Sequence, residues 1–148
     1  MAETLRQQIL DKVKARLQTI LVANGYSSNL GSSVFEWRVE PFATSELPAL
    51  VYRDPSDDIS QAEGHRNHLT LEIEIVTASE TISAVRKKIA DVILAIGTDT
   101  QWDGLAIDTI PGNDEIIIDQ KDKTISGVSM RFTVFFRTKE WKPYTPLV

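Results

Sequence analysis

The stretch from Gly127 to Arg137 restricts the possible folds of this chain more than any other. Val128, Met130, Phe132, Val134 and Phe136 point one way, and Ser129, Arg131, Thr133, Phe135 and Arg137 point the other. Successive side chains of a strand alternate between its faces, so a sustained period of two marks a strand with one face buried. A second stretch repeats the pattern: Leu69, Leu71, Ile73 and Ile75 alternate with Thr70, Glu72 and Glu74. Two half-buried strands need an apolar cover, and two helical stripes are available to supply it. In the first, Leu5, Ile9, Val13, Leu17 and Leu21 recur at every fourth position, with Ile20 beside them. In the second, Ile82, Val85, Ile89, Val92, Ile93 and Ile96 line one side of a helix over about 80–96. Strand–helix alternation is not sustained along the chain, which argues against a doubly wound parallel sheet. The expected fold is α+β: a mostly antiparallel sheet with two helices packed on one face.

Local signals fill in the remainder. Thr4 with Gln7 is a capping-box pattern, and Asn24-Gly25 supplies a helix stop. Arg6, Lys12, Lys14 and Arg16 read as a solvated face of the first helix. Arg86, Lys87, Lys88 and Asp91 lie largely off the apolar stripe of the second, which Gly97 ends. Val34–Val39 and Ala49–Arg53 read as short strands that can pair, with Pro41 at an end or edge. Leu105–Ile110 and Ile116–Ile118 read as two more, separated by a turn at 111–114, and a polar turn is expected at 120–123. Residues 54–67 are polar, with Pro, Ser, Asp and Gly, and are expected to form a mobile loop. Residues 139–148 read as an extended, proline-broken C-terminal tail. A chain of 148 residues suits one domain spanning 1–148.

Several classes of function are disfavoured. The chain has no cysteine, which removes disulfides, thiolate metal sites and a Cys nucleophile. Its formal net charge is -5, and its basic residues are scattered apart from Lys87-Lys88. Such a balance gives no bulk attraction to phosphates, so tight nucleic-acid binding is not expected. No apolar run approaches the roughly 20 residues that span a bilayer, and Met1 leads into a charged helix pattern without a signal-peptide core. A cytoplasmic site of synthesis and no membrane partner are expected.

Catalytic and metal signatures are also missing. His65 and His68 are the only histidines, and Asp57, Asp58 and Glu63 are the nearby carboxylates. Placed in a loop, these read as solvated groups, not as metal ligands. There is no nucleophile-elbow pattern and no phosphate-cradling Gly-rich loop. Asp57-Asp58 and Asp114-Glu115 sit in turn-like sequence, where carboxylates are common. The chain therefore reads as a non-enzyme with no catalytic, cofactor-binding or metal-binding residue. Interaction chemistry remains. Trp, Tyr and Arg are over-represented at binding hot spots. The candidate contact residues are Arg53, Asp57, Asp58, His65, Arg66, Glu72, Glu74, Phe135, Trp141 and Tyr144. Trp37 and Trp141 can equally serve to close the ends of the core.

The arrangement resembles the tail terminator (tail completion, minor tail) proteins of long-tailed bacteriophages. Three stretches carry the resemblance. They are the N-terminal helix Thr4-Leu-Arg-Gln-Gln-Ile-Leu-Asp-Lys-Val13, the stretch Glu46-Leu-Pro-Ala-Leu-Val-Tyr-Arg53 followed by a polar segment and His68-Leu-Thr-Leu-Glu-Ile-Glu-Ile-Val76, and Met130-Arg-Phe-Thr-Val-Phe-Phe-Arg-Thr138 with its Trp/Pro tail. The resemblance implies a structural virion protein and a homo-oligomer, typically a hexameric ring. Such a ring caps the tail tube, stops its growth and presents the head–tail joining surface. The implied partners are further copies of the chain, the tail tube protein and a head–tail connector protein, with DNA passing through without tight binding. The implied location is the tail–neck region of a virion assembled in the host cytoplasm. Another head–tail connector or neck subunit is the neighbouring alternative. A small ligand-binding module or a weak hydrolase is the alternative from a different class.

Overall fold

The computed structural model describes residues 3–78, 80–121 and 124–147. In chain order its elements are α1 (Leu5–Leu17), β1 (Val34–Glu36), β2 (Ala49–Gln61), β3 (His65–Val76), α2 (Ile82–Gly97), β4 (Asp108–Asp119), β5 (Thr124–Lys139) and β6 (Lys142–Pro146). Single 3-10 turns lie at Val22–Asn24, Leu30–Ser32 and Thr44–Glu46.

The strands form one sheet in the order β1-β2-β3-β5-β4, with β6 paired to β5. β1 lies parallel to β2, and every other pairing is antiparallel. The two period-two stretches lie side by side at its centre, in the register Leu71↔Phe132 and Ile73↔Met130. Their apolar positions share one face, so Leu69, Leu71, Ile73 and Ile75 pack with Val128, Met130, Phe132, Val134 and Phe136 in one buried cluster. Leu5, Ile9, Val13 and Leu17 of α1 and Val85, Val92 and Ile96 of α2 join that cluster. Both helices cover the same face, and the fold is α+β as the periodicities require. The opposite face, bearing Glu72, Glu74, Arg131 and Phe135, is free of helices.

Helix ends follow hydroxyl caps. Thr4 Oγ1 accepts from the Gln7 amide at 3.0 Å and Thr81 Oγ1 from the Ala84 amide at 3.2 Å. The capping box at Thr4 is only half formed, because the Gln7 side chain bonds Asp11 at 2.9 Å instead. α1 stops at Leu17, short of Asn24-Gly25. The backbone there turns into the 3-10 segments, and Gly31 packs so closely that a Cβ would lie 2.5 Å from the Gln18 carbonyl oxygen. Gly25, at φ 93°, closes the Val22–Asn24 turn, not the helix.

Four other expectations are corrected. Residues 54–67 are not a loop: β2 and β3 run through them as a long hairpin, paired from Ser56↔Thr70 to Gln61↔His65 beyond a bulge at 53–56. The turn is only 62–64, with Glu63 and Gly64 at positive φ. Turn-forming residue types are tolerated here because β3 satisfies the β2 backbone and the bulge absorbs Pro55. The turn expected at 111–114 is likewise an irregularity within the single strand β4. Val34–Val39 is shortened to β1, since Trp37 takes φ 53°. The C-terminal tail holds β6, whose Pro146 pairs with Thr138. Asp122, Lys123 and Val148, parts of the expected turn and tail, lie outside the described residues.

Trp102 was not marked by any periodicity, yet it is completely buried. Its indole Nε1 donates to Thr109 Oγ1 at 2.8 Å, and that hydroxyl donates to the Thr100 carbonyl at 2.8 Å. Arg16 lies over the ring, 4.6 Å from its centroid, and donates to the carbonyls of Ala95, Ile96 and Asp99 at 3.1–3.3 Å. Arg16 therefore caps the C-terminal end of α2, where free carbonyls attract a cation, instead of facing solvent. Asp91 and Lys88 are also buried. Asp91 accepts from the Ser27 amide and from the Ser27 and Ser28 hydroxyls at 2.6–3.0 Å, and Lys88 pairs with Glu80 at 2.6 Å. Ile82 and Ile93, placed on the apolar stripe by spacing, are exposed.

Candidate interaction surface

The helix-free sheet face carries two of the three clusters into which the candidate residues fall. The first is a chain of charges. Arg53, Glu72 and Arg131 stand directly opposite one another on β2, β3 and β5. Arg53 Nη1 donates to Glu72 Oε1 at 2.6 Å and its Nη2 to Glu74 Oε2 at 3.0 Å, while Arg131 Nη2 lies 3.2 Å from Glu72 Oε2. Partial burial works against the Arg53 charge, but its bonds to Glu72 and Glu74 outweigh this and hold its pKa above the ordinary arginine value. Alternation places Glu72, Glu74 and Arg131 outward, and only the register shows that Arg53 joins them as a partner.

The second cluster lies farther along the same face. Asp58, His68, Phe135 and Asp108 occupy one row across β2, β3, β5 and β4. The His68 and Phe135 rings meet edge-on at 4.7 Å. Around them opens a shallow hollow of about 380 Å³ lined by Arg66, His68, Ile107, Asp108, Ile110, Phe135 and Arg137. Ile107 and Ile110 are 53% and 50% exposed, so the floor of this hollow is apolar and open to a partner. Ile107 and Ile110 were missed as contact candidates, because the two positions were counted only as part of a short strand.

The third cluster is at the hairpin tip. Trp141, in the turn between β5 and β6, is 78% exposed and meets the His65 ring at 5.1 Å. Ile59 is exposed beside them, and Arg137 fastens the tip by donating to the Ala62 and Glu63 carbonyls at 2.9–3.0 Å. Tyr144 is exposed on β6. Trp141 therefore does not close the core. Trp37 has a structural partner: its Nε1 donates to Asp54 Oδ1 at 2.9 Å, and Asp54 also receives Arg6 at 2.7 Å. Arg38 stacks between Phe35 and Phe42, at 4.5 and 4.2 Å, and forks onto Glu46 at 2.6 and 2.9 Å. That fork, with the Ala43 amide, draws the Glu46 carboxyl down to about 2.

Asp57 lies beside the third cluster, in a hollow that it lines with Ile59 and His65. It faces the helix side of β2, opposite Leu69, where burial raises its pKa. The two histidines do not converge, since a spacing of three on β3 sends them to opposite faces. Among the described residues no three His, Asp or Glu side chains are grouped to hold a metal ion.

No protein-family model and no curated protein matches the chain. Among solved structures, it is similar to a chain of "Virion of native gene transfer agent (GTA) particle", with a TM-score of 0.44 and 12% identity over 86% of this chain and 96% of that one.

Proposed function

We propose that this chain is a non-enzymatic structural subunit that closes into a homo-oligomeric ring and terminates a phage-type tail tube. The observation that carries the reading is the helix-free sheet face. It has an apolar floor at Ile107, Ile110 and Phe135 with exposed Trp141 at the neighbouring tip. Exposed aromatic and aliphatic side chains beside arginines are what protein–protein contacts use. The resemblance in the N-terminal helix, the β2–β3 segment and β5 supplies the role. A ring follows from head-to-tail contacts whose rotation closes. Its charge chain is internally neutralised and the protein is acidic overall, a combination that lets DNA pass without adhering.

Light scattering behind size exclusion, with electron microscopy of the protein mixed with purified tail tubes, tests this. The expected result is an oligomer larger than a dimer that sits on tube ends. A chain that stays monomeric at high concentration and leaves tube ends bare refutes it. Rings that bind a connector but ignore tubes reassign the chain to the neck.

A further inference from the structure

Where α1 stops covering the sheet, a hollow of about 200 Å³ opens between Thr4 and Arg6, β2, β3, β5 and Pro143 of β6. Its walls include Ile59, Phe136 and Pro143, and its polar lining includes Asp57, His65, Asn67 and Thr138. Asn67 and Thr138 are each 4% exposed. Asp57 Oδ1 is buried and has no hydrogen-bond partner among the described residues. The charge of Arg6 is felt there, but its hydrogen bonds go elsewhere: its Nε to Asp54 Oδ2 at 2.7 Å and its Nη2 to the Asp54 carbonyl at 2.8 Å. A carboxylate oxygen taken out of water without a partner destabilises the isolated fold, and a cation brought to it recovers that loss.

Building on the ring reading, we propose that this hollow receives a lysine side chain from a neighbouring copy of the chain, with Asp57 as its counter-ion. The walls suit the four-carbon stem of lysine. One orphan carboxylate oxygen flanked by an amide and a hydroxyl suits a compact ammonium with three donors. A planar guanidinium is the bulkier head, and the hollow of about 200 Å³ already has the Arg6 side chain in its wall. The chain can supply the partner: Lys14 on α1 and Lys87 on α2 are exposed, and neither makes an ion pair among the described residues. Lys14 lies roughly 15 Å along α1 from Thr4. A copy therefore presents hollow and lysine at separate places, as a head-to-tail contact requires.

The test is Asp57→Asn, which keeps shape and removes charge, read two ways. The isolated variant should melt a few degrees higher than wild type, because a charged oxygen buried without a hydrogen-bond partner is gone. Its self-association, measured by sedimentation, should weaken by at least about tenfold, because one partner of a buried cation–carboxylate pair is lost. In parallel, millimolar n-butylammonium, a free lysine side chain, should shift the amide resonances of Asp57, Asn67 and Thr138 in wild type and not in the variant. A lower melting temperature reveals an internal partner and overturns the proposal. So does unchanged association of the variant, or no response to n-butylammonium, while wild type still assembles, and in those cases the ring reading stands. A wild type that never associates removes the ring reading and this inference with it.

Discussion

Replacing Thr109 by valine isolates the energetics of the buried tryptophan. Valine keeps the branched shape but removes two hydrogen bonds at once. The first is from Trp102 Nε1, in a side chain with no exposure, and the second goes to the Thr100 carbonyl. Each buried polar group left without a partner costs about 1–3 kcal/mol. The indole N–H pays this in full, whereas the Thr100 carbonyl is only half-buried and recovers some solvation. The expected loss is about 2–4 kcal/mol, or about 5–15 °C in Tm for a chain of this length. Thr109→Ser retains the hydroxyl and gives up one methyl, worth about 1 kcal/mol. Urea unfolding followed by far-UV circular dichroism measures both, and the slope with denaturant should not change. In the Trp102→Phe background the valine penalty should shrink, since the donor is already gone. A valine variant as stable as the serine variant would refute the argument that the hydroxyl, not the methyl, holds Trp102 in place.

Three further outcomes follow from the same kind of accounting. Arg16→Met should destabilise by about 1–3 kcal/mol, because three carbonyls at the end of α2 and the Trp102 face lose their cation. Arg16→Lys should recover less than half of this, lacking the planar fork, as thermal melts will show. Gly127→Ala should cost about 1–3 kcal/mol or more because its Cβ would collide with the Ile75 carbonyl oxygen, whereas Gly97→Ala, with open space at the end of α2, should be neutral or slightly stabilising in parallel melts. Glu46 has a folded pKa of about 2 against an ordinary value of 4.5. The stability it contributes is therefore complete above pH 4.5 and is lost as pH falls towards 2, so Glu46→Gln should flatten that part of the acid-unfolding profile.

The parts of the fold that burial alone dictates were legible in the sequence. Leu69–Ile75 and Val128–Phe136 had to be strands, and the stripes on α1 and α2 had to cover them, because one-sided burial imposes a period. What remained hidden depends on partners distant in sequence. Asp54–Gln61 has the composition of a loop and becomes a strand only because β3 stands beside it. Arg16, Lys88 and Asp91 look like solvent-facing charges, and each is drawn inward by groups elsewhere: carbonyls at 95–99, Glu80, and Ser27 with Ser28. Trp102 follows no period, since it enters the core from an irregular segment at φ 53°. Of the candidate contact residues, the sequence could place Glu72, Glu74 and Phe135 on the outward face. It could not show that Arg53 ties the two glutamates together or that His68 rests on Phe135.

The charge chain on that outward face settles something the apolar periods leave open. Sliding β3 by one residue against its neighbours would turn its isoleucines and leucines outward, so burial forbids it. Sliding by two keeps every apolar residue inward, and the core distinguishes that register only through packing. The outward face distinguishes it by charge. In the observed register Arg53 reaches both Glu72 and Glu74, and Arg131 shares Glu72. A slip that brings Glu74 opposite Arg53 puts Val76 where the second carboxylate was, and the reverse slip brings Thr70 opposite Arg53 and strands Glu74. The native register engages all four charges. Partly exposed ion pairs contribute little to overall stability, but a difference between registers need only exceed thermal energy to choose one. The same register aligns Asp58, His68, Phe135 and Asp108 in a single row and thereby builds the apolar hollow beside Ile110. The geometry of the proposed contact surface is thus set by charges that do not themselves have to touch a partner.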